Sequence, residues 1–167
     1  MRPVYVVPVR HWEKNFKSGP GAFQQMEKSF YDELGGRACI ERVHSILYDK
    51  LFSHPWLKGF FVGKDREILE SQQTEFMMLG FGGPRIFGGR IPRDAHIHMF
   101  ITDEIFDIRH QLLAEALNEA GVPDHLQERW LEMDEGVRLA IVKESPDQCR
   151  GRYRSEQVII VPKPNSF

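Results

Sequence analysis

A histidine, a tyrosine, a glutamine and an aromatic pair stand at spacings that could bring them into one pocket. His96 lies in Ala95-His96-Ile97-His98-Met99-Phe100-Ile101-Thr102, Gln73 follows Gln72, and Tyr48 and Phe60-Phe61 lie upstream. His96 comes after a Gly/Pro-rich segment running from Gly82-Gly83-Pro84 through Gly88-Gly89 to Pro92, and before an amphipathic stretch that begins near Asp103. An imidazole at the end of a loop can offer a ring nitrogen to a metal. A phenol, an amide and aromatic rings on other elements can surround what that metal holds. Haem iron asks for such a set: an imidazole on one face and a tuned polar or apolar pocket on the other.

The polar members stand out because they interrupt apolar faces. In a helix starting near Asp65, Leu69, Gln73, Phe76 and Gly80 share one face. A buried amide without partners costs on the order of 1–3 kcal/mol, so Gln73 either meets a partner or lines a site. Tyr48 sits at the edge of the face formed by Ile40, Val43, Leu47 and Leu51, and its hydroxyl needs a partner too. Taken singly, a tyrosine at a helix edge is usually structural, and Phe60-Phe61 is more often core than cofactor contact.

His96 and His98 also form a His-x-His pair, the spacing of a non-haem metal site on a strand, where alternate side chains share a face. No strand is expected there, and no third histidine or carboxylate lies near enough for a strong zinc motif. His98 reads as a solvated or packing residue, and His11, His44, His54, His110 and His125 as structural or surface ones. Lys64, Arg66, Arg90 and Arg93 are candidates to pair with haem propionates, since cations suit carboxylates; each reads equally well as a solvated charge.

The elements that must position these residues are helical. A first helix is expected over about Gly21 to Leu34, stopped by Gly35-Gly36, and a second over Ala38 to Leu51. A turn after Pro55 leads into Phe60-Phe61. The helix from Asp65 ends at Gly82-Gly83-Pro84, and residues 85–94 read as loop. The helix from Thr102 to Glu119 places Ile105, Ile108, Leu112 and Ala116 on one face. Pro123 opens a last helix with the stripe Leu126, Trp130, Met133, Val137 and Ile141, which Gly136 is expected to bend or weaken. Val4-Tyr5-Val6-Val7 and Val158-Ile159-Ile160-Val161 are β-like, Pro-bounded runs that suit edge strands, pairing with each other, with the core or across a homodimer.

The 167 residues, 41% of them hydrophobic, suit one domain with a sizeable core. A net charge of -2 argues against a nucleic-acid partner. No run reaches the ~18 apolar residues of a membrane span, so no membrane association is expected. The N-terminus is too short and Pro-interrupted for a signal peptide. Cys39 and Cys149 lack CxxC spacing and read as free thiols, which places the chain in the cytoplasm.

From about Phe30 to Val142 the chain resembles the truncated haemoglobins, the two-over-two globins, and most of all their first group. The motifs are Tyr31-Asp32-Glu33-Leu34-Gly35-Gly36, Leu47-Tyr48, Leu57-Lys58-Gly59-Phe60-Phe61, Gln73-Thr74-Glu75-Phe76, Gly82-Gly83-Pro84, Ala95-His96, Ile101-Thr102 and Phe106-Asp107. The resemblance implies an all-α, globin-like two-over-two helical sandwich with short β-like N- and C-terminal extensions. It divides the chain into an N-terminal extension with the first-helix start (1–29), a truncated globin domain (30–147) and a C-terminal extension (148–167). It implies haem b as cofactor and His96 as proximal iron ligand. Phe61 is implied to pack on the haem, with Phe60 beside it. Tyr48, Gln73 and Leu69 take distal positions. Phe87 departs from the tyrosine often found after Gly-Gly-Pro, and Pro92 lies just before the proximal segment. Gln72 stands where some relatives place a second histidine ligand, which speaks against bis-histidine ligation.

The function these residues imply is binding of O2, and of NO and CO, at a proximal-His, distal Tyr/Gln pocket. It extends to nitric oxide dioxygenase activity, with an external reductase as electron donor because no flavin or nicotinamide motif is present. The alternatives are a non-enzymatic O2 carrier or gas-sensing haem module, and an interaction protein without haem.

Overall fold

The computed structural model describes residues 28–165. Seven α-helices are found among them: α1 (Phe30–Glu33), α2 (Arg37–Ser53), α3 (Arg66–Gly80), α4 (Pro92–His96), α5 (Asp103–Glu119), α6 (Asp124–Glu135) and α7 (Arg138–Ile141). Two 3-10 turns, Leu57–Phe61 and Pro146–Gln148, complete the set.

Capping chemistry sets several boundaries. Ser29 is extended and its hydroxyl accepts from Asp32 N, while Asp32 answers in a reciprocal capping box. The first helix therefore starts at Phe30 rather than continuing from Gly21; residues 21–27 lie outside the described part. Gly35, at φ +87°, takes the left-handed conformation that ends it. Asp65 and Thr102 cap α3 and α5 through their side chains. Gly83 has a different reason to be glycine: a Cβ there would stand 2.7 Å from the Tyr31 ring, which packs on the turn after α3.

Two further boundaries differ from the sequence reading. Residues 85–94 are not all loop, because Pro92 starts α4, where its fixed φ and missing N–H cost nothing at a first helical position. The last helix breaks at Gly136 into α6 and α7, as its glycine foreshadowed.

The helices form two layers. α2 packs on α3 and α5, and α5 packs on α6. This is the expected two-over-two sandwich. Its core is the predicted face of α2: Ile40, Val43 and Leu47 are fully buried and Leu51 nearly so. Leu113, Ala116, Leu117, Leu126 and Trp130 meet it from α5 and α6.

The C-terminal extension lies against this core. Ile159 forms one parallel bridge with Met99, through Phe100 N to Ile159 O at 2.9 Å and Ile159 N to His98 O at 2.8 Å. Trp56 Nε1 donates to Val161 O at 3.0 Å. The run Val158–Val161 thus pairs over a single rung and forms no longer strand. Val4–Val7 lies outside the described residues. Cys39 is buried and Cys149 half-buried, and neither forms a disulfide. No helix among the described residues is long and apolar enough to cross a membrane.

Candidate functional site

Between the layers lies a cavity of about 960 Å³, within the roughly 300–1,000 Å³ typical of cofactor sites. Tyr48, Phe60, Phe61, Leu69, Gln73 and His96 all line it. All four residues of the predicted face of α3, Leu69, Gln73, Phe76 and Gly80, line this space; the buried residues of α3 are Thr74 and Met78.

His96 is the last residue of α4. Its Nδ1 lies 2.8 Å from the carbonyl of Pro92. A carbonyl can only accept, so Nδ1 carries the proton and Nε2 keeps its lone pair. Burial lowers the pKa of this imidazole to about 4; the Pro92 bond opposes that, and the charges of Arg109 and Lys143 reinforce it. The ring is neutral at physiological pH. Lys143 fixes the surrounding backbone by donating from Nζ to the carbonyls of His96, Met99 and Ile141 at 3.1, 2.9 and 2.9 Å.

Tyr48 and Gln73 find each other. The phenol oxygen lies 2.9 Å from Gln73 Oε1 and 3.3 Å from Leu69 O, so the hydroxyl donates. Burial pushes the phenol pKa well above its ordinary range and keeps it protonated. Phe61 meets Tyr48 edge-on at 6.3 Å between ring centroids and stacks on Phe52 at 4.8 Å. Phe87 also lines the cavity, edge-on to Phe76 at 5.3 Å, and brings no hydroxyl.

Of the four cations expected near propionates, Lys64 and Arg90 line the cavity. Arg66 does not: it is held by Asp49, Glu70 and Ser45 O at 2.5, 3.2 and 3.0 Å. Arg93 faces a separate hollow beside Ile97, Lys143 and Arg150.

The minor histidines sort clearly. His98 is not solvated; it is 2% exposed, lines the cavity and has an unpartnered Nδ1, with Nε2 3.8 Å from Glu156. His44 is buried against Thr74 Oγ1 at 2.7 Å, His54 accepts from Trp56 N and Leu57 N, and His125 is exposed. His11 lies outside the described residues. No cluster of three metal-ligating side chains occurs among the described residues.

Three charged cavity residues escaped the sequence reading: Arg109, Asp134 and Arg152. Asp134 interrupts the stripe of α6 one turn after Trp130, and Arg109 that of α5 one turn after Ile105, so both carried the same signal as Gln73. Arg152 carried none; it comes from the C-terminal extension and is paired with Glu156.

The donor set fits haem. A neutral imidazole with a spent Nδ1 leaves one nitrogen for iron, and such a partner on the far nitrogen orients a metal-bound histidine. The walls are largely aromatic and aliphatic, as a porphyrin requires. Lys64 and Arg90, both exposed, suit its carboxylates.

The comparisons with known proteins agree. The bacterial-like globin family matches residues 29–143. The group 1 truncated haemoglobin GlbN of Mycolicibacterium paratuberculosis is 35% identical over 95 residues, which cover 57% of this chain and 70% of the relative. The group 1 truncated haemoglobin of Tetrahymena pyriformis is 31% identical over 97 residues, covering 58% and 80%. Among solved structures, a Tyr-to-Phe variant of the Tetrahymena pyriformis truncated haemoglobin, in its Fe(III) form, superposes with a TM-score of 0.66 at 26% identity, covering 70% of this chain and all of that one. The haemoglobin of Chloroflexus aurantiacus gives 0.65 at 29%, covering 71% and all. With its two-layered helices and its histidine-bearing cavity, this chain belongs to the bacterial-like globins, within the group 1 truncated haemoglobins.

Proposed function

We propose that the chain binds O2, with CO and NO as competing ligands, at a haem b held by His96 and faced by Tyr48 and Gln73. The observation that carries this reading is a single cavity containing both a neutral imidazole with one free nitrogen and a part-buried Tyr–Gln hydrogen bond. Haem supplies the iron that takes the gas and the redox chemistry of NO + O2 + e⁻ → NO3⁻, for which an external reductase brings the electron.

The chain's own residues do the rest. His96 holds the cofactor from one side, oriented by Pro92 O. Rotation about the Tyr48 C–O bond moves its proton from Gln73 Oε1 toward the cavity, and the Gln73 amide then accepts no longer from Tyr48 but can still donate. Phe60, Phe61 and Leu69 exclude water. Lys64 and Arg90 meet the propionates.

His96→Ala tests the assignment. It should abolish stoichiometric haem uptake, and imidazole added to the variant should restore it. Normal uptake with an unchanged Soret band would overturn the ligand assignment. Stopped-flow mixing of NO with the O2-loaded protein then separates an NO dioxygenase, which yields nitrate within the mixing time, from an O2 carrier or sensor, which does not.

A further inference from the structure

Arg109 breaks the apolar face of α5 as Gln73 breaks that of α3. It stands one turn from Ile105 and one turn from Leu113, which are 5% and 1% exposed. Arg109 lines the same cavity as Tyr48 and His96.

A cation in such a place must be held. Asp134 of α6 does so: one carboxylate oxygen accepts from Arg109 Nη1 and the other lies 2.8 Å from His110 Nδ1. Burial opposes ionisation of Asp134, but Arg109 and His110 outweigh it, so its carboxyl lies below the ordinary carboxylate range. The pair is therefore an ion pair with a direction. Both residues line the cavity, but the Asp134 side chain is 4% exposed and that of Arg109 is 23%, so the positive end is the more accessible of the two.

The guanidinium is also under-used. It has five N–H donors, and among the described residues Asp134 is its only hydrogen-bond partner. Its charge is felt at His96, at Tyr48 and at His44, which come from two other helices. A fixed charge with spare donors inside a low-dielectric site stabilises an anion more than it would in water.

We propose that Arg109, positioned by Asp134, is a specificity-determining residue of this cavity, whose spare N–H groups favour small anionic ligands such as azide or nitrite over neutral diatomic ones. The inference rests on the haem reading above. Arg109 acts on the ligand, whereas Lys64 and Arg90 serve the cofactor's carboxylates.

The test compares ligands of different charge on the haem-loaded protein. R109M should weaken azide binding to the ferric form by about 10- to 100-fold, the loss of one charge-assisted hydrogen bond, while CO affinity of the ferrous form stays within about twofold. R109K keeps the charge and should recover most of the azide affinity. The double variant R109M/D134N removes both charges and avoids a lone buried carboxylate; it should behave as R109M does. Equal changes for azide and CO would show that Arg109 only braces α5 against α6. Unchanged azide affinity with faster haem loss would place it on a propionate. Either result overturns the inference. An unaltered chain that takes up no haem defeats the haem reading as well, whereas a haem-loaded chain whose azide-to-CO ratio ignores Arg109 defeats this inference alone.

Discussion

α2 and α3 carry apolar stripes of the same helical period, yet one is sealed and the other is not. Ile40, Val43 and Leu47 on α2 are completely buried. Leu69, Gln73 and Phe76 on α3 are half-buried, and Gly80 is exposed, because they face a cavity of about 960 Å³. Periodicity tells which face turns inward, but not whether protein or ligand fills the space. Both faces carry a polar residue, and what differs is its surroundings: His44 on α2 is completely buried against Thr74, whereas the Gln73 amide on α3 is half-buried and lines the cavity.

The difference should appear most strongly in stability. Leu47→Ala leaves a void among packed side chains and should cost about 2–5 kcal/mol in denaturant unfolding, with ligand rates little changed. Leu69→Ala enlarges a space already present and should cost the haem-free protein about 1 kcal/mol or less, while accelerating haem loss. If both variants lose equal stability without haem, the two faces are energetically alike and the contrast fails.

Tyr48 joins the two faces, from the end of α2's stripe to Gln73 on α3. Tyr48→Phe keeps the ring and removes the proton. A hydrogen bond of about 1–3 kcal/mol to a partly negative ligand corresponds to roughly 5- to 150-fold faster O2 dissociation. CO dissociation should change far less, because bound CO gathers less negative charge. Equal acceleration of both gases would make the hydroxyl a packing group.

Two histidines, His44 completely buried and His96 half-buried, extend the comparison to pH. His44 belongs to the packed region and His96 to the cavity. Burial lowers their pKa values from 6.5 to about 3 and about 4. Both stay neutral when folded and take up protons on unfolding below pH 6.5. The stability this neutrality supports is present in full above 6.5 and is lost as pH falls toward about 4 and then about 3. Thermal unfolding should therefore show a Tm that declines from pH 6.5 to 4. His44→Gln should flatten the decline in both haem-free and haem-loaded protein. A Tm independent of pH in that window would refute the burial argument.

The sequence made the Tyr48, Gln73 and His96 set legible because each departs from its surroundings: a phenol and an amide on apolar faces, an imidazole after a glycine-rich loop. Arg109 departs in the same way and was still missed, for a geometric reason. The stripe expected for α5 was Ile105, Ile108, Leu112 and Ala116, whereas the buried set is Ile105, Phe106, Leu113, Ala116 and Leu117. That rotation, by about one residue, left Arg109 on the flank of the expected face instead of near the centre of the true one. Ile108 and Leu112 are only half-buried. An apolar residue on either flank satisfies the period, so an α5 buried on two sides hides its true centre. The short α4 and the single-rung pairing of Ile159 depend on contacts distant in sequence, which no local pattern encodes.

That pairing yields the smallest expected effect. The C-terminal run lies beyond the globin match, which ends at residue 143, yet it braces the segment bearing His96 through Met99, and Val161 sits over Gly59. A Cβ on Gly59 would meet Val161 Cγ1 at 2.5 Å, so Gly59→Ala forces the Val161 side chain to shift and weakens the tail's seat. Little apolar area is involved, since Ile159 and Val161 are only half-buried, and a cost of about 1–2 kcal/mol is expected. For a chain of this size that lowers Tm by roughly 2–8 °C. Removing residues 158–167 should lower Tm by a similar amount, and Gly59→Ala in that shortened chain should add almost nothing, since the clash partner is gone. Full additivity of the two changes would mean that Gly59 matters for the 3-10 turn itself and that Val161 is a bystander. O2 and CO rates should stay within about twofold throughout, because residues 158–165 do not line the cavity.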